Sequence, residues 1–400
     1  MTTDSAAVVA LLLIAAAVFG WILVRWGRDS KLDSRFKFVS AEYFKGLNFL
    51  LNEEPDKALE VFIRVAEVDS DTVETHFALG NLFRRRGEVD RAIRIHQNLI
   101  ARPNLTRAHR AQALYELAQD YLRAGLLDRA ESILHELLDM PHYTEPALRS
   151  LISLYEQQKD WEQAIAMRRR LQVLIGSFEE ETIAQYFCEL AQGALTSRDM
   201  VLANRYLKRA QSHDPNCARA NLLLAQMAEA NQDWARSQRY YREVLEHEIR
   251  YASEVLPALA RVVRQVDGKA SLETLLGKLR RDNPQVHGYL AIAAILNPEL
   301  DDPVSQDCVA DYLRTEPSLG GLYEMFVSFA RRNGVSNLSD MEPLKIAVRN
   351  LLKNAPRYRC EECGFRSKTL YWQCPSCKTW NRTMPFHEIT FAAIGHSSPA

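Results

Sequence analysis

The sequence predicts an all-α protein in three parts: one N-terminal transmembrane helix, a superhelix of helical repeats, and a small C-terminal metal-binding module. Three observations indicate this architecture. An uncharged apolar run lies near the N-terminus, a residue pattern recurs about every 34 residues, and two Cys-x-x-Cys pairs lie near the C-terminus. With a net charge of −1 over 400 residues, the composition excludes a chain-wide basic surface for nucleic acid.

The first element is a predicted transmembrane helix at residues 6–24 (AAVVALLLIAAAVFGWILV), which contains no charged side chain. At about 1.5 Å per residue it spans roughly 28 Å, close to the thickness of a bilayer core. Trp21 and Trp26 near its end are typical of the membrane interface. A secretory signal peptide is a poorer interpretation because residues 1–5 contain no Lys or Arg. A buried core helix is the other alternative.

Flanking charges predict how this helix is oriented. Basic residues follow the apolar run, and none precedes it: Arg25, Arg28, Lys31, Arg35 and Lys37. The positive-inside rule therefore predicts a periplasmic N-terminus (1–5), a basic juxtamembrane linker (25–38), and the bulk of the chain on the cytoplasmic side of a bacterial inner membrane. That compartment is reducing, so the seven cysteines are expected to be free or metal-bound.

The second element is a predicted array of helical repeats over residues 39–284. A small residue tends to be followed by an aromatic one three positions later, a small one at twelve and a large one at sixteen. The first two copies are Gly46, Phe49, Ala58 and Phe62, and then Gly80, Phe83, Ala92 and His96; later copies begin at Ala118, Ile152, Ala191, Ala225 and Ala260. This spacing resembles the tetratricopeptide repeat, in which small residues let two helices approach and large ones fill the seam. An irregular helical bundle is the alternative. Residues 285–356 are predicted to continue as helices that cap the array.

The stacked repeats are expected to form a groove that is lined by the first helix of each pair. The candidate partner-binding residues in this groove are polar: Asn81, Arg84, Gln119, Gln192, Gln226 and Arg261. Polar side chains along a groove suit hydrogen bonding to the backbone of an extended peptide. A plain solvent-facing helix surface is the alternative interpretation.

The third element is a predicted metal-binding module at residues 357–386, which we call the ribbon. Cys360 and Cys363 form one pair, and Cys374 and Cys377 form a second after ten intervening residues. Four thiolates at this spacing predict a tetrahedral site for one metal ion per chain, iron or zinc. A module this small cannot bury a sufficient core, so the metal is expected to supply much of its folding energy.

The ribbon resembles the knuckles of rubredoxins and zinc ribbons, with one departure. Lys378 stands where a rubredoxin has a second glycine, and the intervening loop is short, which argues against electron transfer. Aromatic residues are expected to pack beneath the site: Phe365, Tyr371, Trp372 and Trp380. The short linker before the ribbon predicts that it docks on the array. The remaining cysteines are interpreted as buried apolar fillers: Cys188, Cys217 and Cys308.

A membrane anchor, a tetratricopeptide array and a C-terminal knuckle pair in one chain resemble the lipopolysaccharide assembly protein B family of Gram-negative bacteria. The resemblance covers essentially the whole chain and carries over the four ligands, Cys360, Cys363, Cys374 and Cys377. It implies a non-enzymatic inner-membrane adaptor that promotes degradation of the lipid A pathway deacetylase by the membrane AAA+ protease. It also implies contact with other lipopolysaccharide assembly proteins. The sequence leaves homo-oligomerisation open.

Two other classes of function stay open from the residues. One is a metal- or redox-sensing scaffold that acts through an iron-bound ribbon. The other is a nucleic-acid-binding scaffold, because the ribbon has six basic against two acidic residues, a formal charge of +4. Nucleic acid is the weaker interpretation because the rest of the chain is not basic. The sequence contains no P-loop and no Gly-x-Ser-x-Gly motif, and residues 387–400 are predicted to be a loose tail.

Overall fold

The computed structural model describes residues 18–19, 21, 42–49, 51–52, 54–68, 73–177, 179–266, 269–282, 286–296, 307–309, 311 and 356–386. The predicted anchor at residues 6–24 lies almost wholly outside the described residues. The linker at 25–38, most of the continuation at 285–356 and the tail at 387–400 also lie outside them. Within the described ranges, no helix combines the length and the apolar character needed to cross a membrane.

The described chain is mostly helical, and its helices are joined by short turns. The helices are α1 (residues 42–49), α2 (Pro55–Val68), α3 (Val73–Arg85), α4 (Val89–Ile100), α5 (Arg107–Ala124), α6 (Leu127–Leu137), α7 (Thr144–Gln158), α8 (Trp161–Ile175), α9 (Glu180–Thr196), α10 (Met200–His213), α11 (Ala218–Ala230), α12 (Trp234–His247), α13 (Ala252–Val266), α14 (Lys269–Asp282) and α15 (Val286–Leu296). A 3-10 turn at Ile249–Tyr251 precedes α13. The chain divides into two compact units, Met1–Ile175 and Gly176–Ala400.

Helices pack side by side in the pairs that the repeat pattern predicts, such as α3 with α4 and α9 with α10. The small residue that opens each of the first two copies touches the large residue sixteen positions later. A Cβ atom on Gly46 would lie 2.7 Å from the ring of Phe62, and one on Gly80 would lie 2.4 Å from His96 Nε2. The predicted role of the small residues, close approach of two helices, is confirmed at these two copies.

Adding one methyl group at Gly80 is expected to destabilise the first unit. The His96 side chain is fully buried and its Nδ1 lies 2.5 Å from Asp120 Oδ2, so the ring has no room to move away. Gly80→Ala should therefore lower the free energy of unfolding by about 1–3 kcal/mol, measured by urea denaturation. Gly193→Ala is the control, because nothing lies within 4 Å of a Cβ there. It should stabilise α9 by about 0.5–1 kcal/mol, and equal losses in both variants would contradict the packing argument.

The turn between paired helices also repeats. Five first helices are followed, seven positions into their copies and one or two residues after the helix ends, by a residue with positive φ: Gly87, Gly125, Lys159, Arg198 and Gln232. In the last three of these five turns an aspartate follows and caps the next helix. The carboxylate of Asp199, for example, accepts from the backbone N–H of Leu202 at 2.9 Å. A carboxylate cap therefore accompanies each of the three helix-pair turns in which the left-handed residue is not glycine.

The ribbon belongs to the second unit and forms a small antiparallel sheet. Its strands are β1 (Tyr358–Cys360), β2 (Arg366–Ser367) and β3 (Thr383–Pro385), in the order β2-β1-β3. Tyr358 on the central strand lies opposite Ser367 on one side and Pro385 on the other. Met384 joins the apolar core formed by α11 to α15, so that the sheet and the helices share buried surface.

Candidate metal centre

The structure brings the four predicted ligands together. The Sγ atoms of the four cysteines all lie within 4.8 Å of one another. Cys360 Sγ lies 3.7 Å from Cys377 Sγ, and Cys363 Sγ lies 3.6 Å from Cys374 Sγ. A tetrahedron with metal–sulfur bonds of about 2.3 Å has edges of about 3.8 Å, so these thiols fit one tetrahedral metal ion.

Each cysteine pair lies in a backbone turn with the same hydrogen bonds. In the first turn the N–H of Gly364 donates to Cys360 O at 2.9 Å, and in the second the N–H of Lys378 donates to Cys374 O at 2.9 Å. Gly364 has φ +74° and Lys378 has φ +60°. Lys378 therefore adopts the left-handed conformation expected of the missing second glycine, and both knuckles close in the same way.

The thiols of the second knuckle differ in acidity. The hydroxyl of Thr379 lies 2.9 Å from Cys377 Sγ, and this hydrogen bond lowers the pKa of Cys377 to about 6. Burial raises the pKa of Cys374 to about 12, although backbone N–H groups of Cys377 and Ser376 oppose the shift. At neutral pH Cys377 is accordingly a thiolate, the form that coordinates metal, whereas Cys374 must lose its proton when metal binds.

Thr379 is expected to support metal binding through its hydroxyl group. Thr379→Val removes the O–H···S hydrogen bond but keeps the size of the side chain, and should weaken metal affinity by roughly 10-fold or more. Thr379→Ser keeps the hydroxyl and should stay close to the parent chain. Competition with a chromogenic chelator measures the three affinities. Equal affinities for the valine and serine variants would show that the hydrogen bond is irrelevant.

Polar contacts hold the ribbon on the helices of the second unit. The Tyr358 hydroxyl donates to Glu254 Oε1 at 2.7 Å, and the Tyr251 hydroxyl donates to Asn381 Oδ1 at 3.0 Å. Burial, followed by the charge of Glu254, raises the pKa of Tyr358, so this phenol remains a neutral donor at physiological pH. The prediction that the ribbon docks on the array is therefore confirmed within this unit.

Aromatic contacts complete the joint and correct one expectation. The Trp372 ring lies 5.1 Å from that of Tyr251 and 5.7 Å from the Arg219 guanidinium, and the Trp380 ring lies 5.6 Å from that of Tyr186. Trp372 and Trp380 thus pack against the helices, while Tyr371 is 43% exposed. Of the four side chains predicted to pack beneath the metal site, Phe365, Tyr371, Trp372 and Trp380, the prediction is wrong for Tyr371, because its ring faces solvent.

The candidate groove residues of the first unit bond within the unit. The Arg84 guanidinium lies 2.6 Å from a Glu116 carboxylate oxygen and 2.8 Å from one of Asp120, and it also donates to Asn81 Oδ1 at 2.7 Å. Gln119 donates to the hydroxyl of Ser150 at 3.0 Å. The sequence analysis did not identify Glu116 and Asp120, although their spacing of four residues places both on one face of α5.

Two of the three candidate groove residues in the second unit, Gln226 and Arg261, share a helix face with a ribbon contact. Gln192 and Gln226 are exposed, and Arg261 lies 3.4 Å from a Glu229 carboxylate oxygen. Gln226 and Arg261 follow the ribbon-contacting Arg219 and Glu254 by seven residues, which places each pair on one stripe of α11 or α13. The ribbon thus contacts the N-terminal part of this stripe on α11 and α13. The C-terminal part carries Gln226 and Arg261, which are exposed.

Comparisons with known families match both parts of the described structure. Models of the tetratricopeptide repeat match residues 75–111, 115–172 and 188–253. The model of the rubredoxin metal binding domain matches residues 358–382. Together with the geometry, these matches define a tetratricopeptide-repeat protein with a C-terminal rubredoxin-type metal-binding domain.

Similarity to curated relatives assigns the chain to one family within this class of protein. Lipopolysaccharide assembly protein B of Escherichia coli (strain K12) is 32% identical over 380 residues, which cover 95% of this chain and 98% of the relative. The protein of that name from Haemophilus influenzae is 31% identical over 388 residues, covering 94% and 97%. The chain belongs to the lipopolysaccharide assembly protein B family.

Solved structures of tetratricopeptide-repeat proteins are more distant. The C-terminal part of a repeat-containing protein from Cytophaga hutchinsonii matches with 14% identity and a TM-score of 0.37, covering 70% of this chain and 98% of that one. A likeness this low carries no argument about function.

Proposed function

We propose that this chain is a non-enzymatic adaptor of the bacterial inner membrane that regulates lipopolysaccharide synthesis. In this proposal it promotes proteolysis of the lipid A pathway deacetylase by the membrane AAA+ protease, and it organises other lipopolysaccharide assembly proteins. The observation that carries the proposal is the docking of the ribbon on the repeat array. Relatives of the lipopolysaccharide assembly protein B family match this chain along 95% of its length.

The arrangement of the chain supports an adaptor. Residues 6–24 would hold the array at the membrane surface, with the bulk of the chain on the cytoplasmic side. Confinement there raises the effective concentration of any partner in the same membrane without adding a contact. Gln192, Gln226 and Arg261 would face the bound segment of that partner. The metal, iron or zinc, supplies folding energy to the ribbon, and the ribbon's own side chains hold it on α9, α11 and α13.

Site-specific photo-crosslinking in cells tests where partners bind. A photoreactive residue at Gln226 lies on the exposed half of the helix face beside the ribbon contacts. One at Lys208, which is exposed on α10, is the matched control. We expect the position-226 probe to capture the deacetylase or the protease and the position-208 probe to capture neither. Equal capture from both positions would contradict a binding role for this face.

A further inference from the structure

Two cysteines that the sequence analysis interpreted as apolar fillers lie in contact. Cys188 lies within α9, and Cys217 lies directly before α11. Their Sγ atoms are 3.9 Å apart, and the residues are 0% and 1% exposed. The interpretation as buried residues is confirmed, but a pair of thiols in contact is also the starting geometry for a disulfide bond.

The surroundings of the two thiols make one of them more acidic than the other. Cys217 accepts hydrogen bonds from Cys188, from the backbone N–H of Ala220 and from Gln185 Nε2, the last at 3.5 Å. The hydrogen bond from Cys188 lowers the pKa of Cys217 and outweighs the burial that opposes it, and the N–H of Ala220 and the charge of Arg219 add to the lowering. Burial raises the pKa of Cys188. Cys217 at the start of a helix is therefore the nucleophile of the pair, and Cys188 supplies the second thiol.

The pair lies beside the surface on which the ribbon docks. Arg219, two residues after Cys217, lies against Trp372 of the ribbon. Tyr186, next to Gln185, lies against Trp380. Because both thiols are buried, an oxidant reaches them only when this part of the second unit opens, and release of the ribbon would be one such opening.

We propose that Cys188 and Cys217 form a thiol–disulfide exchange site beside the ribbon contact, which reacts with a low-molecular-weight disulfide and closes to an intrachain disulfide bond. The Cys217 thiolate attacks one sulfur of the small disulfide, forms a mixed disulfide and releases one small thiolate. Cys188 then loses its proton to that thiolate and attacks Cys217 Sγ, which releases the second small thiolate; this takes up from solvent the proton that Cys217 had given up. Two protein thiols are oxidised, and one small disulfide is reduced to two thiols.

The closing step requires only a modest movement. A disulfide bond is about 2.05 Å long, so the two sulfur atoms must approach by roughly 1.9 Å. Cys217 lies directly before α11, so no preceding helical turn restricts its χ1 angle. The inference does not depend on the proposed adaptor function, since it rests on the thiols and the ribbon contact alone.

Peptide mass spectrometry of the metal-loaded full chain tests the proposal. After exposure to oxidised glutathione and tryptic digestion, we expect a linked peptide that joins residues 171–198 to residues 210–219. Cys188→Ser should stop at a glutathione adduct on Cys217, and Cys217→Ser should give neither product. Cys308, also buried, is the internal control and should stay unmodified. A chain that yields no linked peptide, or linkage of Cys217 to a ribbon cysteine instead, would overturn the proposal.

The role of the ribbon is tested by the rate of the same reaction. Trp372→Ala should form the linked peptide at least about 10-fold faster than the parent chain, because its ribbon opens more often. Removing the metal with a chelator should have the same effect on the unsubstituted chain, which provides a measurement free of any folding defect in the variant. Unchanged rates in both experiments would show that the ribbon does not control access.

Discussion

Purified chain carrying Cys360→Ser and Cys363→Ser is expected to contain no metal and an unfolded ribbon. Serine hydroxyls are hard, weakly acidic ligands that do not replace soft thiolates around iron or zinc. Comparable four-ligand zinc peptides bind metal with about 10–16 kcal/mol at pH 7, more than a three-stranded ribbon can lose and remain folded. Elemental analysis measures the metal, and limited proteolysis reports whether the ribbon is folded.

A matched control separates ligand loss from general disturbance of the knuckle. Ser376 is exposed in the second knuckle and contributes a backbone N–H rather than a side chain to the site. Ser376→Ala should therefore keep full metal content. In cells, the double serine variant is expected to slow deacetylase turnover, since the loosened ribbon no longer borders the exposed face of α11 and α13. Normal metal content together with normal turnover would refute the link between metal and partner binding.

Trp372→Ala is expected to detach the ribbon while leaving the metal in place. The indole lies between Tyr251 and Arg219 and packs against the apolar core of the second unit. Its removal should cost about 3 kcal/mol, the lower end of the range for truncating a large aromatic side chain, because Trp372 is only half-buried. The four cysteines are untouched, so the metal content should remain at one ion per chain.

The neighbouring Tyr371→Ala is the control, because that side chain is 43% exposed. Differential scanning calorimetry should show a lower unfolding temperature for the tryptophan variant only, and protease should release the ribbon from that variant only. Identical behaviour of the two variants would mean that the tryptophan contact does not hold the ribbon on the helices.

The repeat pattern predicted the helix pairs because its small and large residues contact each other within one pair of neighbouring helices. Gly80 and His96 are sixteen residues apart, and their contact is a property of one pair of helices. The metal ligands were predictable for a similar reason, since two short knuckles each fix two thiols. The rubredoxin knuckle has a glycine at the position of Lys378, but the backbone adopts the same left-handed conformation there with lysine.

Contacts between distant parts of the chain were not predictable. Tyr251 and Asn381 lie 130 positions apart, and no periodicity records their hydrogen bond. Asp120 resembles a surface residue on a polar helix, yet it is fully buried because the Arg84 guanidinium pairs with one of its oxygens and His96 hydrogen-bonds the other. The contact between Cys188 and Cys217 was missed for the same reason, although the burial of each was predicted.

The half-life of the deacetylase in cells tests the central claim most directly, that this chain acts by holding other proteins together at the membrane. Cells that lack the chain would be supplied with the full chain or with residues 25–400 alone, at matched abundance. The account predicts that the full chain restores rapid, protease-dependent loss of the deacetylase and that the fragment without the anchor does not. Equal restoration by the soluble fragment would contradict it.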